Sequence, residues 1–267
     1  MTPRLGILLL IFIATEAAAD QQVLPKFELG VSLFSLTAPN YRGSAHSTSY
    51  LLPVPHIKYR GERWRIDEGL EGRLFDSENL ILSISGNGSL PVDDDTPERT
   101  GMAQLEASVE IGPSLEYRLH QGDRDSLWFE LPLRIAITIE NSPRNIGQIL
   151  HPRLAWRLPS HNKDQWKLRF AAGPLYASKR FHDYYYSVDA ADALPSRPVF
   201  QARTGYSGLR ADFTYSKRFG KYWLGGFVRY DSLKGSVIED SPLVSDASNW
   251  MAGIAIGWVF HEKYAEP

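Results

Sequence analysis

Residues 127–140 read Leu127-Trp128-Phe129-Glu130-Leu131-Pro132-Leu133-Arg134-Ile135-Ala136-Ile137-Thr138-Ile139-Glu140. Every odd position is apolar, and Glu130, Arg134, Thr138 and Glu140 stand on the even ones. A helix repeats its apolar face every 3.6 residues and a strand every 2, so this stretch is a strand. It is also long. Strands of globular proteins average about 5–6 residues, whereas a tilted strand crossing a bilayer needs about 9–11.

The same alternation recurs on both sides. Upstream, Leu105, Ala107, Val109, Ile111, Pro113, Leu115, Tyr117 and Leu119 interleave with Glu106, Glu110, Glu116 and Arg118. Downstream, Leu209, Ala211, Phe213, Tyr215 and Phe219 alternate with Arg210, Asp212 and Arg218. The last run sets Trp250, Ala252, Ile254, Ile256, Trp258 and Phe260 against a small face of Gly253, Ala255 and Gly257. The polar faces carry cations (Arg118, Arg134, Arg153, Arg157, Arg169, Arg210, Arg218, Arg229) and acids (Glu106, Glu110, Glu116, Glu130, Glu140, Asp212) of opposing sign. Such pairs suit a polar interior. The apolar faces end in aromatics: Tyr117, Phe129, Trp156, Trp166, Phe219, Tyr222, Trp258 and Phe260 near short turns, and Tyr176, Tyr230 and Trp250 near long loops. Two aromatic girdles around an aliphatic band mark a transmembrane barrel. Trp128 and Trp223 fall on the polar face and do not fit the girdles.

The connections alternate too. Short polar turns stand at 121–125, 160–164 and 220–221, and long polar loops at 37–49, 92–103, 179–207 and 234–249. The expected fold is all-β, a transmembrane antiparallel β-barrel. Reading back from Phe260 gives eight strands to about residue 79, with 27–36, 50–59 and 62–75 upstream. A bacterial barrel with both ends in the periplasm needs an even number. Splitting 62–75 at Asp67-Glu68-Gly69 gives twelve strands; ten is the alternative if two N-terminal strands fail to pair.

Composition narrows the function. The chain has 267 residues, with 29 Lys+Arg against 31 Asp+Glu and a net charge of −2, which gives no electrostatic case for nucleic acid. It has no cysteine, excluding disulfides, cysteine-ligated metal and thiol nucleophiles. No apolar run reaches the roughly 18–20 residues of a membrane-spanning helix. Residues 1–19 have the pattern of a cleaved secretory signal: Arg4, an apolar core 5–14, then Ala17-Ala18-Ala19. Residues 20–267 are expected to form one barrel domain in the Gram-negative outer membrane, in contact with its lipid and lipopolysaccharide.

Several short pieces together resemble the MipA/OmpV family of outer-membrane proteins. They are Ala38-Pro39-Asn40-Tyr41-Arg42-Gly43-Ser44, Pro53-Val54-Pro55-His56-Ile57-Lys58-Tyr59, Thr100-Gly101-Met102-Ala103, Tyr184-Tyr185-Tyr186-Ser187-Val188, Arg229-Tyr230-Asp231-Ser232-Leu233 and Asp240-Ser241-Pro242-Leu243-Val244. The resemblance implies a non-enzymatic scaffold between a lytic transglycosylase (MltA) and a penicillin-binding protein in murein assembly; some relatives look like adhesins. One departure is that Phe260 is not terminal but is followed by 261–267.

Candidate sites are few. Tyr184, Tyr185 and Tyr186 in the largest loop form either a sticky external binding patch or a loop folded onto the rim. Arg118, Arg134, Arg153, Arg169, Arg210, Arg229, Glu110, Glu116 and Glu130 are the expected lumen charges, lining either a weakly anion-selective channel or a lumen closed by salt bridges. Asp93-Asp94-Asp95 lacks the Gly and distal Glu of a calcium loop and reads as solvated. The seven histidines show no metal-ligand spacing, and no nucleophile elbow or phosphate-binding loop appears, so neither catalysis nor a cofactor is expected.

Overall fold

The computed structural model describes residues 25–264 apart from 62–63, 67–69, 78, 93–95, 140–141 and 160–165. The leader, the three aspartates at 93–95, the 67–69 division, the 160–164 turn and residues 265–267 lie outside the described residues.

The strands are β1 (Phe27–Pro39), β2 (Ser47–Arg60), β3 (Trp64–Ile66), β4 (Leu70–Asp76), β5 (Leu80–Ser89), β6 (Ser108–Gln121), β7 (Ser126–Thr138), β8 (Asn145–Leu150), β9 (Arg153–Pro159), β10 (Lys167–Ala177), β11 (Gly205–Phe219), β12 (Tyr222–Ser232) and β13 (Ser248–Lys263). One helix, α1 (Lys179–Tyr186), stands between β10 and β11. No helix among the described residues is long and apolar enough to cross a membrane.

Apart from β8 with β9, each strand pairs antiparallel with its sequence neighbours, and β13 returns to β1 from Phe27↔Lys263 to Thr37↔Ala252, closing the sheet. Closure satisfies backbone donors and acceptors within the wall, which hydrocarbon demands because it offers no partner. β8 and β9 share the same neighbours. β8 pairs with β7 over 133–137 and with β10 at Tyr176 and Ala177; β9 pairs with β7 over 126–130 and with β10 over 167–172. They are two halves of one stave, divided at His151-Pro152, where Pro152 brings no N–H. Counted this way the described strands form a ring of twelve staves, and the described chain enters β1 at Phe27 and leaves β13 at Lys263 on the short-turn end.

Burial is inverted relative to a water-soluble protein. On β7, Glu130, Arg134 and Thr138 are buried while Leu133 and Ile135 are exposed. On β13, Trp250, Ile254, Ile256, Trp258 and Phe260 are all at least half exposed. A contiguous exposed apolar band of this size has one physical solvent, the lipid.

Two expectations change, and the departure after Phe260 finds its place. The run at 105–119 enters the wall only at Ser108, and Leu105, 2 % exposed, belongs to loop packing rather than to the lipid face. The loops are not simply polar and solvated: Tyr41, Val92, Leu233, Ile238 and Leu243 in them are buried. The chain beyond Phe260 is not a free tail from there, since residues 261–263 continue β13 against 27–29 of β1.

Gly30 sits at the bulge of the β1–β13 seam, and a Cβ there would lie 2.2 Å from the Trp258 carbonyl oxygen. Gly30→Ala is therefore expected to lower stability by about 1–3 kcal/mol. The readout is a lower temperature at which the folded, faster-migrating gel band converts to the denatured one; an unchanged transition would refute the crowding at this seam.

Candidate functional site: the ion-paired lumen and its loop cap

The inward faces of the strands carry two belts of charge. In the periplasmic half, Glu130 of β7 is 2 % exposed and accepts from Arg153 Nε at 2.6 Å, from Arg169 Nη2 at 2.6 Å, and from Arg157. Arg157 also donates to Glu116 of β6 at 2.6 Å, reaching across β7. On the other side, Glu28 of β1 is fully buried and receives Arg60 at 2.5 Å and Arg218 of β11, which also holds Glu262. In the outer half, Asp231 receives Arg42 at 2.7 Å and Arg210 at 3.0 Å, Asp212 receives Arg229 at 2.6 Å, and Glu110 lies 3.5 Å from Arg134. Of the expected lumen charges, Arg134, Arg153, Arg169, Arg210, Arg229, Glu110, Glu116 and Glu130 thus meet as pairs. Arg118 sits nearer the rim, donating to Asn79 at 3.2 Å and to Gln121 at 3.2 Å.

The two misfitting tryptophans belong to this interior. Trp128 donates its indole N–H to Ser126 Oγ at 2.9 Å and lies between the guanidiniums of Arg157 and Arg118, 4.8 and 5.5 Å from its ring. Trp223 takes Lys58 Nζ at 5.0 Å and packs on His56 at 5.3 Å. A π face attracts a cation without adding an acid, so both rings help hold the excess positive side chains inside. Their sequence signal is an aromatic at an inward position with Arg or Lys on neighbouring inward positions.

Above the outer belt, the loops fold onto one another. Tyr41, Val92, Leu105, Tyr185, Tyr186, Leu233 and Ile238 join strand-end residues Ala136, Ile146, Ile149, Leu175 and Ala177 in one apolar cluster; Met102, Val188 and Leu243 form a second. Side chains tie loop to loop through backbone groups. Tyr41 OH donates to Leu243 O at 2.6 Å, Tyr186 OH to Arg42 O at 2.7 Å, Arg99 Nη1 to Tyr185 O at 3.1 Å, and Arg197 Nη1 to Glu98 O at 3.1 Å. These contacts join the connections 40–46, 90–107, 178–204 and 233–247, which leave the ring on different sides, so the cap spans the outer mouth.

The cap corrects the external-patch reading of the three tyrosines. α1, whose N-cap Ser178 accepts from Phe181 N, turns them onto the rim. Tyr186 is 1 % exposed, Tyr185 approaches Ser89 and Ser108 Oγ at 3.4 Å, and Tyr184 accepts from Glu106 N at 2.8 Å. Burial pushes all three phenols above their ordinary range, so they stay neutral donors.

One pairing invisible in sequence has the connectivity of a nucleophile and base. His182 donates from Nδ1 to Arg203 O at 2.5 Å and accepts at Nε2 from Ser207 Oγ at 3.0 Å. Yet both residues are at most 1 % exposed, and Arg42 Nη1 already donates to Ser207 Oγ at 2.9 Å. Burial, with the nearby Arg42 charge, holds the imidazolium down despite the Arg203 carbonyl. The pair fastens α1 and the start of β11 to the 40–46 loop, and no reacting atom has room beside Ser207. Among the described residues no group of His, Asp and Glu is arranged to hold a metal.

Removing one partner of a buried ion pair costs about 3–5 kcal/mol because the remaining charge is left buried. Glu130→Gln leaves three guanidiniums around a neutral amide, and a loss of that order is expected in the urea midpoint of the liposome-reconstituted protein; a loss under about 1 kcal/mol would mean that Glu130 is not the node of the belt. In the cap, burial raises the Glu98 carboxyl, but the Ser245 hydroxyl, its own backbone N–H and His46 at 3.1 Å outweigh this and hold it below its ordinary value. A carboxyl lowered in the folded state contributes stability above the unfolded value of 4.5 and loses it as pH falls through the folded one. Amide exchange at Ser245 and Asp246, whose N–H groups donate to Gly43 O, is therefore expected to lose protection across that acidic window, and Glu98→Gln to abolish the pH dependence.

Comparison with known proteins agrees with this architecture. The family described as MltA-interacting protein MipA matches residues 29–260. Outer membrane protein OmpV of Vibrio cholerae is 24 % identical over 210 residues, covering 76 % of each chain, and outer membrane protein Omp26La of Vibrio anguillarum is 22 % identical over the same shares. Among solved structures, an outer membrane channel of Pseudomonas putida F1 aligns with 92 % of this chain and 100 % of its own at 13 % identity and a TM-score of 0.44. With its period-2 strands, closed sheet and inverted burial, this chain is an outer-membrane β-barrel that belongs to the MipA/OmpV family.

Proposed function

We propose that this barrel is a non-enzymatic scaffold in the outer membrane, one that links a lytic transglycosylase and a penicillin-binding protein at the murein. The reading is carried by the loop cap: the outer loops spend their apolar and hydrogen-bonding groups on one another. The wall below them is cross-linked by Arg–carboxylate pairs. A molecule built this way is stiff and offers little free loop to the exterior. Its open surface is the periplasmic rim, where Asp123, Arg124, Lys221, His261 and Lys263 are exposed or half-buried. The description of the family as MltA-interacting supports the same partner class.

A channel is the second reading, favoured by one observation: among the described residues the inward faces carry more Arg and Lys than Asp and Glu. The adhesin reading has less support: the tyrosines of the largest loop are turned into the cap, although Leu194 and Val199 of that loop stay exposed.

Two measurements separate the readings. A photo-crosslinking residue at Arg124 or Lys221 in intact cells is expected to capture a lytic transglycosylase or a penicillin-binding protein; crosslinks to neither count against the scaffold. In planar bilayers the purified protein is expected to stay silent, and discrete anion-selective steps would favour the channel.

A further inference from the structure

The break in the β8–β9 stave leaves one side chain that the ion pairs do not use. His151 stands at the break, its backbone N–H donating to Pro132 O of β7 at 3.1 Å. Gly173 of β10 packs so closely against the break that a Cβ there would lie 2.1 Å from Pro152 O, which fixes the corner against its neighbour. His151 is 1 % exposed, and its Nε2 is buried with no hydrogen-bond partner among the described residues. Native proteins seldom leave such a nitrogen unpaired, so it calls for an explanation. The charges that act on it come from inward positions: Arg210 and Asp212 of β11, Arg153 of β9 and Arg134 of β7. The imidazole therefore faces the lumen, at the level where the periplasmic belt meets the outer one.

The same level is over-supplied with donors. Arg153 gives its Nε to Glu130, and Arg229 gives its Nε to Asp212. Arg210 gives Nε and Nη2 to Asp231. Arg134 gives Nε to Ser85 Oγ at 3.1 Å, with Nη1 3.5 Å from Glu110. Among the described residues nothing accepts from either Nη of Arg153 or Arg229, from Nη1 of Arg210 or from Nη2 of Arg134, and these atoms keep open surface toward the lumen. The guanidiniums also repel one another, since Arg134 feels Arg153, Arg210 and Arg229 as like charges. The acids do not balance them. Glu130 already serves Arg157 and Arg169, so Arg153 has only a share of it. Like charges held together away from bulk water are costly until an opposite charge joins them.

We infer that His151 and the terminal nitrogens of Arg134, Arg153, Arg210 and Arg229 form an anion site in the middle of the lumen, built for a small oxyanion of the phosphate class. A tetrahedral oxyanion with two charges accepts from several guanidinium forks at once, and the Nε2–H tautomer of His151 adds a neutral donor. Water would satisfy the imidazole but would leave the excess charge. Asp212, the acid at this level, is engaged by Arg229 Nε at 2.6 Å, which leaves the terminal nitrogens of Arg229 for the anion. Lipid phosphates lie at the bilayer surfaces and the loop cap spans the outer mouth, so the ion is a free one. It acts as a counter-ion whether or not the lumen conducts, and the site stands apart from both functional readings.

The test uses the whole protein, folded in lipid-free detergent micelles with nitrogen-15 in its histidines. It is titrated with inorganic phosphate at fixed pH and fixed ionic strength, sodium chloride making up the balance. The His151 Nε2 signal, assigned by its loss in His151→Gln, is expected to shift saturably with half-saturation below about 1 mM. The signals of His120 and His261, both exposed, are expected to stay in place. His151→Asn gives the assignment if His151→Gln yields no heat-modifiable barrel. Arg229→Lys keeps the charge and loses the fork, and it is expected to weaken phosphate by about tenfold in the same signal. The absence of a saturable shift overturns the inference, as does an equal shift with chloride alone, which would mean screening rather than a site. A saturable shift unchanged by Arg229→Lys overturns it too, since phosphate would then bind elsewhere. None of these readouts depends on murein enzymes or on conductance, so the scaffold reading can fail without touching this one.

Discussion

Everything in this molecule follows from hydrocarbon standing where water would stand for an ordinary protein. Apolar side chains turn outward at no cost, so the charged ones must turn inward, where each needs a partner. Arginine answers that demand well: its planar fork donates to two acceptors at once. Arg157 therefore joins Glu116 and Glu130, and Arg218 joins Glu28 and Glu262. Apart from Arg157–Glu130, these bonds run between staves that are not hydrogen-bonded neighbours. Arg218 of β11 reaches β1 past β12 and β13, and Arg157 reaches β6 past β7. The backbone ladder fixes each strand to the next, and the ion pairs fix the ring's shape.

The cap obeys the opposite rule. Its loops leave the membrane for water, and ordering them costs conformational entropy that apolar burial must offset. They therefore build a core of the soluble kind, with Tyr41, Tyr186, Leu233 and Ile238 inside and phenol hydroxyls donating to backbone carbonyls of other loops. One chain thus contains two cores of opposite polarity, and His182, Ser207, Arg42 and Asp231 form the polar seam between them.

What the sequence discloses follows the same division. The wall is periodic, so the alternation at 127–139 or 250–260 marks strand, face and membrane at once, and the inward acids and arginines can be named from parity. The cap has no period. Leu105 continues an alternating run by sequence yet leaves the wall for the loop core, because local spacing carries no information on where a ladder ends. Tyr185 and Tyr186 look adhesive in a polar stretch, and only the docking of α1 shows them buried. Trp128 and Trp223 contradict the girdle pattern until the cations beside them are known. His182 and Ser207 are 25 residues apart and meet only in space.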